Sequence, residues 1–211
     1  MIRRMGHWAD AARSAIARIA ITLALLACLS GAAAADTWRL DPDHTEIRFS
    51  WNHMGMSRQS GEFVEPFGRL VFSPTDPVAG RVEVTMLLAS LRTGVAKLDA
   101  MLRSPDYFDA EQFPRVTFTS TGVASDSPKS GTLNGELTMR GVTRPVSLKA
   151  RWNFTGEHPL ASFNPVYRGK WVTGFSATGI VRRSEWGMTQ AIPLVSDQIE
   201  ITIEAEFIRV D

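Results

Sequence analysis

A single cysteine in 211 residues excludes a disulfide framework, so the fold must be held by packing. Histidine is nearly as scarce, with four in the chain, and their spacing brings no metal-binding cluster together. Neither charge dominates, since 23 basic residues stand against 22 acidic ones. The chain as a whole therefore offers no electrostatic reason to bind nucleic acid or an anionic membrane. Long apolar runs are missing too. The longest, Ile19 to Leu29, falls short of the roughly 20 residues a membrane-crossing helix needs.

That run has a different use. Arg3, Arg4, Arg13 and Arg18 precede it and the small-residue stretch Gly31 to Ala35 follows, the order of a secretory signal. Cleavage is expected near Ala35, with residues 1–35 as the leader and 36–211 as one exported domain, periplasmic or secreted. It removes four of the 23 basic residues and one of the 22 acidic, leaving 19 against 21. Leu25-Leu26-Ala27-Cys28 allows a competing reading as a lipidation site, which the bulky Leu26 fits poorly.

Beyond Asp36 the pattern is alternation with a period of two, the mark of a sheet with one apolar face. Ile47, Phe49 and Trp51 alternate with Glu46, Arg48 and Ser50. Val82, Val84 and Met86 do the same, and Val116 and Phe118, Leu133, Leu137 and Met139 follow. Then come Val146, Leu148, Ala150, Trp152 and Phe154, and Trp171, Phe175 and Ala177. In the last strand Ile199, Ile201, Ile203, Ala205 and Phe207 face away from Gln198, Glu200, Thr202, Glu204 and Glu206. About eight or nine strands are expected, with turn-rich breaks at Pro74 to Gly80 and Ser125 to Gly131.

One helix interrupts them, with Thr93 as its cap, Val95, Leu98 and Leu102 on one face, and Pro105 as its stop. A single helix cannot cover so much apolar sheet. The sheet must close on itself, which predicts an all-β fold, an eight-stranded antiparallel barrel with one helical insertion. Small inward residues, Gly135, Ala150, Ala177, Gly179 and Ala205, are compatible with an open lumen. Trp51, Trp152 and Trp171 could equally fill it.

No catalytic residues emerge, since no nucleophile stands beside a base and no carboxylates are paired by spacing. The expectation is a non-enzyme without metal or cofactor. His44 and His53 lie nine apart, on opposite faces of a regular strand, and His158 sits in a Gly/Pro-flanked loop.

Four stretches resemble YceI-like proteins. They are Asp41-Pro42-Asp43-His44-Thr45-Glu46-Ile47-Arg48-Phe49 with His53-Met54-Gly55-Met56-Ser57, Leu102-Arg103-Ser104-Pro105-Asp106-Tyr107-Phe108 through Phe113-Pro114, Gly131-Thr132-Leu133 through Pro145-Val146, and Arg183-Ser184-Glu185-Trp186-Gly187-Met188. Met101 stands where that family often has His, and Glu185-Trp186 replaces Asp-Phe. The resemblance implies an extended lipocalin-like barrel that binds a polyisoprenoid quinone or similar long amphiphile for transport or storage. Binding of fatty acids or amides, or a scaffold or accessory role beside a quinone-linked membrane cytochrome, with transient contact to membrane or cytochrome, are its alternatives.

The lumen would be lined by Ile47, Phe49, Trp51, His53, Val84, Met86, Phe118, Leu137, Met139, Ala150, Trp152, Phe175, Ala177, Ile201 and Ile203. Leu98, Leu102, Phe108, Phe113 and Arg183 would form a lid or mouth. His53 could donate to a quinone carbonyl or bond nearby backbone. Arg183 could meet a head group or pair with Asp99 or Asp109. A phosphate would call for converging cations, and only Arg183 and Arg58 are candidates, so a neutral head group is favoured.

Overall fold

The computed structural model describes residues 35–210, so the expected leader, with Cys28, lies outside the described residues except for Ala35. The elements in chain order are β1 (Asp36–Leu40), β2 (Glu46–His53), β3 (Ser57–Phe63), β4 (Phe67–Phe72), β5 (Arg81–Leu87), β6 (Leu91–Arg92), helix α1 (Ala96–Arg103), β7 (Arg115–Ser127), β8 (Ser130–Met139), β9 (Val142–Glu157), β10 (Trp171–Arg182) and β11 (Gln198–Val210). All pairings are antiparallel.

These segments make eight staves, because three staves are interrupted. β1 and β2 lie end to end along β11, which pairs with β1 through Phe207–Val210 and with β2 through Glu200–Glu204. β3 and β4 form the next stave, β5 and β6 the third, and β7 to β11 complete the circuit. Closure leaves β11 no free edge for another chain to pair with along those registers.

The interruption between β1 and β2 has a structural consequence. Residues 41–45 face only 205–206 of β11, so three extra residues bulge out. The Asp41 amide donates to the Glu206 carbonyl at 2.9 Å, and the Glu206 amide donates to Thr45 Oγ1 at 3.3 Å, so both main-chain groups of Glu206 keep partners across the bulge. An odd insertion reverses the side-chain parity. Even-numbered Trp38 and Leu40 therefore point inward before it, and odd-numbered Ile47 and Trp51 after it.

A second bulge, at Asn153, does the same to β9. It turns Phe154 outward and half-exposed, where the alternation had placed it inside, and brings Thr155 inward to bond Thr173 and Trp152 Nε1. Trp171, at the end of β10, is also partly exposed and lies under the Arg209 guanidinium, so it fills no part of the lumen.

Inside, two apolar clusters divide the barrel lengthwise. One end holds Trp38, Leu40, Leu70, Phe72, Ala205 and Phe207, and the middle and the other end hold the larger cluster around Trp51, Phe63 and Met86. Burying a Leu, Phe or Met side chain fully is worth about 1.5–3 kcal/mol, so both clusters stabilise the closed barrel.

Helix α1 begins later than its sequence cap. Val95 is the boundary residue and makes no side-chain cap, whereas Thr93 acts through Asp99, its Oγ1 and amide both donating to Asp99 Oδ1 at 2.6 and 2.7 Å. That bond holds the Asp99 carboxyl below the usual carboxylate range, assisted by Arg103 and Arg92 and opposed by burial.

Candidate functional site

Both clusters line a cavity of about 750 Å³ that runs along the barrel. Its wall is built from alternate residues of each stave: Ile47, Phe49, Trp51 and His53 of β2, Val84 and Met86 of β5, Phe118 of β7, and Leu137 and Met139 of β8. β9 adds Ala150 and Trp152, β10 adds Phe175 and Ala177, and β11 adds Ile201 and Ile203. Ala150 and Ala177 are direct cross-strand partners, so two methyl groups stand side by side on this stretch of wall.

Not every small residue makes space. A Cβ on Gly135 would lie 2.4 Å from the Phe118 ring, and one on Gly179 would lie 2.5 Å from Leu148 Cδ2. These glycines admit a large neighbour across the sheet, a packing role the alternation alone does not reveal.

At one end aromatic rings narrow the cavity, which still reaches the rim at Val78, Ser127 and Lys129. Phe72 meets Trp152 and Phe175 edge-on, with centroids 5.4 and 5.2 Å apart, and Phe175 meets Phe207 at 6.1 Å. Offset or edge-on pairs of this kind are each worth about 0.5–1.5 kcal/mol beyond their burial. The sequence placed Trp152, Phe175 and Phe207 on inward rows but could not bring them together with Phe72, because their meeting depends on register across the barrel.

At the other end lies the inserted segment that follows β6. Leu98 and Leu102 of α1 and Tyr107 and Phe108 beyond it face the cavity, and Phe108 meets Phe49 and Phe63 edge-on at 6.2 and 6.4 Å. Phe113 does not join them. A tight turn, with Asp109 at φ 51° and the Phe113 amide donating to the Asp109 carbonyl at 2.8 Å, carries its ring beneath Gly141 in the β8–β9 turn.

Arg183 borders this end, buried to 5% exposure, and its partners are backbone carbonyls, with neither Asp99 nor Asp109 among them. Nε donates to Ser196 O at 3.0 Å and the two terminal nitrogens donate to Met188 O at 2.7 Å and Val195 O at 3.0 Å. Burial lowers its pKa from the ordinary arginine value, while Tyr107 and Asp197 act in the opposite sense. Its fork thus staples the 183–198 connection across the barrel end, where Trp186 donates to the Leu137 carbonyl and Met188 adds to the cavity wall. Arg58 is on the outer surface, paired with Glu200 at 2.5 Å. His53 reaches the cavity rim at the end of β2, beside a bridge to Val195.

The wall is thus almost wholly hydrocarbon, and among the described residues no group of three His, Cys, Asp or Glu is placed to hold a metal ion. A closed eight-stave barrel has room for one small ligand when its interior is not filled by side chains, and ~300–1,000 Å³ is the usual range for such sites.

The family model "YceI-like domain" matches residues 38–207, nearly the whole described barrel. The chain belongs to the YceI-like family. The protein YceI of Salmonella arizonae is 31% identical over 193 residues, covering 90% of this chain and 96% of its own length. Among solved structures, this YceI-like barrel is similar to the YceI protein of Campylobacter jejuni, with a TM-score of 0.64 and 26% identity over 76% of this chain and 90% of that one. BcnA of Burkholderia cenocepacia shares the fold with a TM-score of 0.69 at 19% identity, over 79% and 98% of the two chains. A polyisoprenoid-binding domain from Saccharophagus degradans, implicated in plant cell wall breakdown, shares it with a TM-score of 0.56 at 13% identity, over 83% and 99%.

Proposed function

We propose that this YceI-like protein holds one long isoprenoid chain, such as that of a quinone, or a similar lipid in its lumen, carrying or storing it without chemical change. The observation that carries the reading is the cavity itself: about 750 Å³ bounded almost entirely by aliphatic and aromatic side chains. Apolar burial at roughly 25 cal/mol per Å² supplies the affinity for such a chain and asks for no catalytic group. The likeness to the polyisoprenoid-binding domain of Saccharophagus degradans is in keeping with it.

A neutral head group fits best. Arg183 spends each of its three nitrogens on carbonyls, and Arg81, at the far rim, donates to Ala79 and Gly80. Lys129 lies over the Trp152 ring at 5.3 Å. Three cations so placed do not converge on one anion, as a phosphate would need. We further propose that the protein works outside the cytoplasm after losing residues 1–35, and N-terminal sequencing of the exported form checks this. A mature chain starting at or near Asp36 supports it, and one starting at a lipidated Cys28 contradicts it.

The test of the lumen reading is native mass spectrometry of the protein purified from its own host. One lipid-sized adduct per chain, released on denaturation, is the expected spectrum. A bare chain that also fails to take up isoprenoid quinone or fatty amide in titration overturns the reading.

A further inference from the structure

The connection from β9 to β10, residues 158–170, inverts the usual order of exposure. Its one buried residue is Ala161, while Leu160, Phe163 and Val166 are 47%, 84% and 65% exposed. Phe163 is the most exposed large apolar side chain among the described residues. Single exposed apolar residues are ordinary, but three within seven positions of one loop are a patch.

The loop is built to hold them out. His158 stacks on Tyr167 with ring centroids 4.1 Å apart, and the Asn164 side chain accepts from the Val166 amide at the start of a short 3₁₀ turn. The His158 amide donates to the Lys170 carbonyl at 2.7 Å, closing the loop at its base, and Glu157 accepts from the Gly169 amide at 2.9 Å. Backbone bonds from Ala161, Asn164 and Lys170 tie the interior together. A loop pinned in this way displays its large side chains at little further cost in conformational entropy.

Charge says what they meet. Residues 158–170 contain Arg168 and Lys170, the latter over the Tyr167 ring at 5.7 Å, and no Asp or Glu, and with Glu157 held at the loop's base the loop keeps a small basic excess hidden by the near-neutral balance of the whole chain. Aromatic and aliphatic side chains flanked by basic ones suit the boundary between acyl chains and anionic head groups. We propose that the β9–β10 loop docks this protein onto an anionic lipid bilayer, with Leu160, Phe163 and Val166 entering the interface and Arg168 and Lys170 meeting the phosphates. The proposal is independent of what the lumen holds.

The test uses the full chain with Cys28→Ser and Ser162→Cys, labelled at the new thiol with a polarity-sensitive nitrobenzoxadiazole dye. The readout is local to the loop, so binding through the apolar run at residues 19–29 does not reproduce it. With phosphatidylethanolamine–phosphatidylglycerol vesicles, emission should shift to the blue and be quenched by nitroxides on the acyl chains. With phosphatidylcholine vesicles the shift should be weak. Adding Phe163→Ser and Val166→Ser should weaken the response about tenfold or more, and each of Arg168→Glu and Lys170→Glu about fivefold. Near-ultraviolet circular dichroism on the same samples checks that the barrel is intact. No shift with anionic vesicles overturns the proposal. So does a shift that grows with protein concentration in the absence of vesicles, which would mean that the loop meets a second copy of the chain.

Discussion

Arg183 shows how a single residue can be picked out by its burial and still be given the wrong partners. A buried guanidinium needs acceptors, and the sequence suggested carboxylates because those are the partners that a list of residues makes visible. The structure supplies three carbonyls from one irregular connection, which a sequence cannot display before it is folded. Arg183→Met should therefore cost about 3–5 kcal/mol in urea unfolding, since it strands acceptors in a buried place. Arg183→Lys should recover little, because a point donor cannot span a fork. A Lys variant as stable as the parent would show that charge, not geometry, is what the site requires. Asp99 gives a pH prediction. Its carboxyl is depressed in the folded state, so the stabilisation is fully present above the unfolded value near 4 and is lost as the pH falls through the folded value. Asp99→Asn should lower stability at neutral pH and flatten the loss below about pH 4, as measured by chemical denaturation across that range.

Elements were legible wherever the period of two ran unbroken. β2 keeps its in–out alternation, β11 keeps it from Gln198 through Phe207, and both were readable from the residues alone. The failures fall at interruptions. The break at 41–45 is marked by Asp41-Pro42, but how many residues bulge there, and so the parity of β1, is not, and the bulge at Asn153 expels Phe154 with no local mark at all. The inserted segment was legible as a helix with an apolar cover, but the turn at Asp109 that diverts Phe113 depends on a backbone conformation, φ 51°, that Asp adopts only now and then. The cover itself makes a kinetic claim. If the segment with Leu98, Leu102 and Phe108 is the gate for the lumen, Phe108→Ala should speed displacement of a bound fluorescent lipid in stopped flow while the fold remains intact. Unchanged exchange with a lower melting temperature would make the segment a plug, and entry would then lie at the opposite rim, where the exposed Val78, Ser127 and Lys129 border the cavity.

For the whole molecule, the sequence required closure and the structure shows how it is reached, by three interrupted staves in an eight-stave circuit. What the sequence could not decide was whether the interior is full, because small and large inward residues were both present and their matching depends on register. Register resolves it locally: Phe118 lies over Gly135 and Leu148 over Gly179, while Ala150 and Ala177 stand together and leave room. The central claim, that this room is for a lipid chain, is tested most directly by titrating an isoprenoid quinone into the full chain and into Ala150→Trp and Ala177→Trp variants, with thermal melts alongside. The account predicts saturation at one lipid per parent barrel, with affinity lowered about tenfold or more in the variants and their melting temperature kept, because the indole occupies space that was empty. A parent that binds nothing, with variants destabilised by the roughly 1–3 kcal/mol of an overfilled core, would contradict it.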